Sequence, residues 1–228
     1  MLLSGYGVIL LITTAARYVG IVEPPHPVRA AAPKIRAALD RRVIWYVVAF
    51  GLTQMAFNIC FGPYFAILAR DAWGNNESEI NLLFALGSAA SFIGIPLGQR
   101  ADRWGMQRVV NLGLSVFALT VAAWGIAPTW QWGLVPLLLS FFFSEGAIIA
   151  LLAMQAQITT RETRGSVMGF ISTGSGVIGG LGPTIAAGLI AWGGNALPFI
   201  ACGVMSLIAM GASARVKKSE QVQIAPAE

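Results

Sequence analysis

Seven long apolar segments constrain this chain more than any other feature of its sequence. They cover approximately residues 2–19, 43–69, 80–99, 109–127, 134–158, 166–192 and 196–213. A helix needs about 20 apolar residues to cross the hydrocarbon core of a bilayer, and helices are the natural spanning form for segments of this length. We therefore predict an all-α integral membrane protein with about seven transmembrane helices.

Charged residues are scarce, which agrees with a chain that faces lipid over much of its surface. They make up 11% of the 228 residues, whereas a soluble domain carries about 25%. The 26 glycines fit the same picture, because transmembrane helices pack closely through small residues. The net charge of +5 therefore does not indicate a nucleic-acid partner, and we expect the lipid bilayer to be the main partner.

Basic residues predict the orientation of the seven segments. If the segments alternate in direction, fourteen of the fifteen lysines and arginines fall on one side of the membrane, and only Arg70 falls on the other. Cytoplasmic loops carry such an excess, so we expect the N-terminus outside and the C-terminus in the cytoplasm, in a bacterial cytoplasmic (inner) membrane. The basic cluster follows residues 2–19 instead of preceding them, which favours a retained spanning helix over a cleaved signal peptide.

The third segment leads into a basic loop with a distinctive spacing of glycines. The residues concerned are Gly98, Asp102, Arg103, Gly105 and Arg108. This spacing resembles the loop signature of the major facilitator superfamily, from which the sequence departs at Arg100, Met106 and Gln107. The glycines permit a tight reversal, Asp102 can accept backbone N–H bonds at a helix start, and the arginines can pair with it or with lipid phosphates. A basic cytoplasmic turn alone would explain the arginines but not the glycines.

The sixth segment carries a second group of glycines. The main positions are Gly176, Gly179, Gly182 and Pro183, flanked by further glycines at 165, 169, 180 and 188. This pattern resembles the penultimate helix of drug–proton antiporters of the tetracycline-efflux type. Glycines three and four apart let a neighbouring helix approach closely, and the proline bends the helix. The pattern is compatible with a gating helix and with a simple packing face.

The resemblance implies a register for the whole chain as the C-terminal half of such a transporter. Residues 1–19 would be an extra helix equivalent to the sixth of the family, 20–42 the cytoplasmic loop between two bundles, 43–214 a six-helix bundle equivalent to helices seven to twelve, and 215–228 a cytoplasmic tail that is irregular beyond Lys218. In an alternative register, residues 43–213 would be the first bundle. Its fourth helix usually carries an arginine where this chain has Phe142, three residues before Glu145, and the C-terminal register is therefore favoured.

Glu145 is the only acidic residue deep inside a predicted span. A charge at the membrane centre costs ~3 kcal/mol or more, so such residues usually face a cavity and are functional candidates. The side chain could couple proton movement to transport or contact the substrate. Alternatively, it could be a neutral glutamic acid that hydrogen-bonds neighbouring helices.

The second segment places polar groups beside aromatic ones. Gln54 and Asn58 are four residues apart and share a helical face, and Phe61 follows three residues later. Such a combination is typical of small-molecule cavities, although polar side chains also join helices within membranes. Together with Phe142 and Glu145, these residues form the candidate substrate and coupling site.

The function that this resemblance implies is transport of a small amphipathic molecule, as proton-coupled efflux by alternating access. One bundle needs a partner, which would be a separate N-terminal half or a second copy of the chain. The alternative is a truncated, non-transporting membrane fragment. We expect no enzyme activity, cofactor or metal, because His26 is the only histidine and no catalytic cluster lies in a span. All lysines lie outside the spans, which excludes a retinal protein.

Overall fold

The computed structural model describes residues 40–159 and 163–224, with side chains to residue 216. This part of the chain is all-helical and contains no strand. Its helices are α1 Arg41–Cys60, α2 Pro63–Asp71, α3 Glu77–Gln99, α4 Ala101–Trp104, α5 Met106–Gly125, α6 Trp130–Gln157, α7 Arg164–Gly180, α8 Gly182–Gly193 and α9 Leu197–Ile224.

These helices form six segments that are long and apolar enough to cross a membrane. They are Arg41–Asp71, Glu77–Trp104, Met106–Gly125, Trp130–Gln157, Arg164–Gly193 and Leu197–Val216. The prediction of an all-α membrane protein is confirmed, and six of the seven expected spans are present. The predicted first helix, residues 1–19, and nearly all of the expected loop over residues 20–42 lie outside the described residues.

Local sequence signals explain where the helices begin and end. The Asp40 side chain caps α1 by accepting a hydrogen bond from the Arg42 backbone N–H. Asn76 and Glu79 form a reciprocal capping box at the start of α3. Gly105 adopts φ 89°, a conformation that favours glycine, and so lets the chain reverse between α4 and α5.

Two of the spans are interrupted, each beside a Gly-Pro pair. The first span breaks after Cys60, and α2 begins at Pro63. The fifth breaks at Leu181, with Pro183 in the first turn of α8. Proline lacks a backbone N–H and cannot continue the hydrogen-bond ladder of the preceding helix, whereas it fits well in a first turn.

The six spans pack in the order α3, α6, α5, α9, α1 and α7–α8, each touching the next. Glycines allow the closest approaches. A Cβ at Gly113 of α5 would lie 2.8 Å from the carbonyl oxygen of Phe143 in α6, and one at Gly203 of α9 would lie 2.8 Å from that of Ala118 in α5. On the other side of the bundle, Gly174 of α7 leaves room for the Val47 side chain of α1.

The least buried spans lie at the two ends of this order. Each span has a most apolar stretch of 18 residues. In the α3–α4 span 28% of these residues are buried and in the α7–α8 span 22%, whereas the other spans reach 44–56%. Both therefore keep broad faces that no described helix covers.

The last helix is longer than expected. It continues to Ile224 instead of ending near residue 213, so the prediction of an irregular tail beyond Lys218 is wrong as far as that residue. The stretch from Ala212 to Ile224 contains no glycine or proline, and its lysine, glutamate and glutamine residues favour helix.

Candidate functional site

A groove of about 360 Å³ runs along α1 and α7 and reaches α6. Its lining consists of Phe50, Gln54, Asn58, Gln155, Ile171, Ser172, Ser175, Gly176 and Gly179. The structure thus brings Gln54 and Asn58, from the second apolar segment, together with two glycines of the sixth. The groove offers amide and hydroxyl groups beside a phenyl ring, and no charged side chain lines it.

Gly179 allows α1 and α7 to meet in this groove. A Cβ at this position would lie 3.1 Å from Cβ of Gln54 and 3.4 Å from Nδ2 of Asn58. The Asn58 amide donates a hydrogen bond of 3.1 Å to the carbonyl oxygen of Gly179. Asn58 therefore joins the two helices by a polar contact and also lines the groove. The two roles considered for it from the sequence, helix contact and cavity lining, are compatible.

The other amides of the groove differ in how they are held. Gln155 donates to Sδ of Met168 at 2.8 Å, and its Oε1 lies 3.5 Å from the hydroxyl of Tyr46. The Tyr46 hydroxyl donates its shorter bond, 2.9 Å, to the carbonyl oxygen of Leu151. Gln54 has no comparable bond to another described residue, which leaves its amide available to a ligand.

The two helix breaks lie next to each other beyond the groove. The hydroxyl of Tyr64, in the first turn of α2, donates a hydrogen bond of 2.5 Å to the carbonyl oxygen of Pro183 in α8. A Cβ at Gly182 would lie 3.0 Å from the carbonyl oxygen of Met55. Gly179 and Gly182 thus face α1, whereas a Cβ at Gly176 would meet nothing within 4 Å. Of the predicted glycine face, Gly179 and Gly182 therefore pack against α1, whereas Gly176 lies beside empty space.

Glu145 lies in the middle of α6, fifteen residues after Trp130 and twelve before Gln157. Phe143 and Ala147 face α5, where both meet Gly113. Glu145 is two residues from each, or about 160° around the helix at about 100° per residue. Its half-buried side chain therefore points to the side of the bundle opposite α5, and it forms no ion pair or hydrogen bond with the described residues.

The two aromatic candidates do not line the groove. The ring of Phe61 packs 4.1 Å from that of Phe141, between centroids, and 5.9 Å from that of Phe117. Phe142 is turned towards α3, where its backbone contacts Gly94. The expected cluster is therefore divided between the groove, the aromatic core and the surface of α6.

The signature loop closes the end of the bundle at which α1 begins. Gly98 leaves room for Ile149, whose Cβ would lie 2.5 Å from an added Cβ. Asp102 stands in the first turn of α4. Asp102, Arg103 and Arg108 are exposed, and none of them forms an ion pair within the described ranges. Of the two partners expected for the arginines, Asp102 or lipid phosphates, Asp102 is therefore not paired with them in those ranges.

Several contributors were missed by sequence reasoning. Gln155 is a polar residue inside an apolar segment, the same signal that identified Gln54, and could have been found. Tyr46 and Tyr64 carry hydroxyls within the second segment, but their partners are the backbone carbonyls of Leu151 and Pro183, more than 100 residues away. Nothing in the local sequence identifies such partners.

The family follows from comparison with known proteins. No curated protein matches the chain significantly. Residues 53–227, more than three quarters of the chain, match the model of the family described as Major Facilitator Superfamily. The match covers Glu145, the signature loop, both helix breaks and all of the groove lining except Phe50. This chain is therefore a membrane-embedded member of the Major Facilitator Superfamily, a family of transporters.

Proposed function

We propose that this chain is the C-terminal half of a proton-coupled exporter, of the tetracycline-efflux type, that moves a small amphipathic molecule by alternating access. The observation that carries this proposal is Glu145, a carboxyl group near the middle of a spanning helix with no partner among the described residues. The glycine-rich span Arg164–Gly193 resembles a helix of such antiporters, which supports proton-coupled export.

The charged and the protonated forms of the Glu145 carboxyl differ in the free energy that it costs to place them in the membrane. A charged carboxylate facing lipid would cost ~3 kcal/mol or more, whereas the protonated form is neutral. Because the side chain points away from α5, it faces the surface on which a second bundle would rest. Deprotonation in a water-filled cavity and protonation before that cavity closes would couple proton entry to the movement of the bundles.

The substrate would bind along the groove beside this surface. Gln54 and Asn58 can exchange hydrogen bonds with a polar group, and Phe50 provides an apolar wall. An amphipathic molecule satisfies both kinds of contact. Phe61 and Phe142 would act from outside the groove, Phe61 by supporting α1 and Phe142 by fixing α6 against α3.

The second half of the transporter would be a separately encoded bundle or another copy of this chain. In this arrangement residues 1–19 supply the sixth helix of the family and residues 20–42 the cytoplasmic loop. The N-terminus lies outside and the C-terminus in the cytoplasm, as the basic residues indicate. The protein would reside in a bacterial inner membrane.

Replacement of Glu145 by glutamine tests the coupling role. Proteoliposomes containing the protein with any copurifying partner are loaded with amphipathic fluorescent dyes, and a pH gradient is imposed. We expect wild type to move at least one dye in a gradient-dependent manner and Glu145→Gln to reduce that rate to background, because an amide cannot carry the proton. The variant should reach the membrane in normal amount.

Glu77→Gln is the matched control, since it removes the same charge from an exposed position in the first turn of α3. It should retain gradient-driven movement. Undiminished dye movement by Glu145→Gln would disprove the coupling role. Failure of the wild-type protein to move any dye, despite normal insertion, would instead favour a truncated, non-transporting chain.

A further inference from the structure

A second and larger cavity, of about 540 Å³, lies at the opposite end of the groove from the helix breaks. It is enclosed by the start of α1, the loop from α4 into α5, the end of α6, and α9. Since five spans begin or end here, the cavity lies at the level of the membrane surface. It shares no residue with the groove.

Positive charge predominates in this cavity. Arg42, Arg103 and Arg108 line it, against the single carboxylate of Asp102. Arg103, Arg108 and Asp102 form no ion pair within the part of the chain that the structure describes. Two guanidinium groups therefore remain available for an anion, and guanidinium groups bind phosphate particularly well because two N–H groups can donate in parallel.

The start of α5 adds to the positive electrostatic potential of the cavity. Gly105 precedes the helix and provides no side-chain cap, and Met106 and Gln107 of the first turn line the cavity. The first backbone N–H groups of a helix lack intrahelical acceptors and carry a partial positive charge. Together with the arginines, they provide a setting suited to a phosphate group.

Apolar side chains complete the walls. Met106, Met154, Ile158 and Val216 line the same cavity as the arginines. Trp104 stands at its edge, 46% exposed, and aromatic residues of this kind favour the interface between lipid and water. Inorganic phosphate would gain nothing from the apolar walls, whereas a phosphate bearing acyl chains would contact both surfaces.

We propose that this cavity binds the headgroup of an anionic phospholipid. Arg103 and Arg108 hold the phosphate, Asp102 accepts a hydrogen bond from a headgroup hydroxyl, and the glycerol backbone and upper acyl chain lie along Met154, Ile158 and Val216. The bound lipid bridges the signature loop to α6 and α9. This inference does not depend on the proposed direction or coupling of transport.

A lipid titration of the full-length protein tests this proposal. The melting temperature of the detergent-solubilised protein is followed while phosphatidylglycerol or phosphatidylcholine is added. We expect a saturable increase with phosphatidylglycerol alone. Double replacement Arg103→Gln and Arg108→Gln should shift the midpoint by about a hundredfold, because each of the two lost charge-assisted hydrogen bonds is worth about one order of magnitude in affinity.

The matched control replaces Arg70 and Arg164, which do not line the cavity, by glutamine. It removes the same two charges and should keep the wild-type midpoint. An equal shift in both double variants would show that net charge alone attracts the lipid and would overturn the site. Equal stabilisation by inorganic phosphate, with competition against phosphatidylglycerol, would overturn the assignment to lipid. Circular dichroism checks that each variant retains its helix content.

Discussion

At Gly113 an added Cβ would lie 2.7 Å from Cβ of Ala147 and 2.8 Å from the carbonyl oxygen of Phe143, whereas at Gly211 it would meet nothing within 4 Å. Both glycines lie inside helices. The first is required because the backbones of α5 and α6 touch, and the second has no such constraint. At the scale of single residues, the spatial neighbours of a glycine therefore decide its effect.

These two glycines should respond in opposite directions to alanine. Alanine favours helix by up to ~1 kcal/mol over glycine, but an extra methyl in a packed contact costs ~1–3 kcal/mol. We expect Gly113→Ala to lower the melting temperature of the purified protein and Gly211→Ala to leave it unchanged or raise it. Equal melting temperatures for Gly113→Ala and wild type would show that α5 and α6 separate readily.

The sequence identified individual polar residues better than it grouped them. Glu145, Gln54 and Asn58 stand out because a polar side chain is costly to bury in an apolar span. Their grouping with Phe142 depends on helix rotation, and Phe142 is turned towards α3 by the close contact at Gly94. Helix rotation is set by contacts between distant segments, which the local pattern does not contain.

At the scale of elements, two of the six described spans are interrupted by breaks in their helices. The sequence predicts a bend at Pro183, and the structure shows a full interruption beside each of the pairs Gly62-Pro63 and Gly182-Pro183. That the breaks lie together could not be predicted, because the Tyr64–Pro183 and Asn58–Gly179 bonds join residues about 120 positions apart. These bonds tie α1 to α7 and α2 to α8 next to the breaks.

Removal of the Tyr64 hydroxyl should loosen this connection. The net value of such a hydrogen bond is ~1 kcal/mol, so Tyr64→Phe should increase amide hydrogen exchange in α8 severalfold while leaving α5 unaffected. Tyr46→Phe is the control, because it removes a tyrosine bond to a carbonyl of α6 instead. Unchanged exchange in α8 for Tyr64→Phe would show that the hydroxyl contributes nothing to the junction.

At the scale of the whole molecule, the six described spans form a row of successive contacts with its least buried members at the ends, and α6 also bonds to α1 and α7. Composition and segment length predicted the helical type of these spans and the places of six of the seven expected ones, and the first expected span lies outside the described residues. They could not predict the row, because its order depends on which small residues meet. The exposed faces of α3–α4 and α7–α8, together with Glu145, are the surfaces available to a second bundle.

The mass of the native particle tests whether such a bundle exists. The protein is extracted from its own membrane in lipid discs and its polypeptide mass is measured. We expect a species of about twice the 24.1 kDa of this chain, containing either a second copy or a distinct six-helix partner. A particle with one 24.1 kDa chain that still transports dye would contradict the need for a partner.

The glycine contacts also determine how this bundle responds to force. Across α3, α6 and α5 the backbones touch, so this part behaves as a stiff plate with little room for sliding. In α1–α2 and α7–α8 the two interruptions are points at which we expect the spans to bend, and Gly176 leaves open space beside α7. The bundle is therefore mechanically anisotropic. We therefore expect a push against α7–α8 to produce local bending and a push against α3 to displace α3, α6 and α5 together.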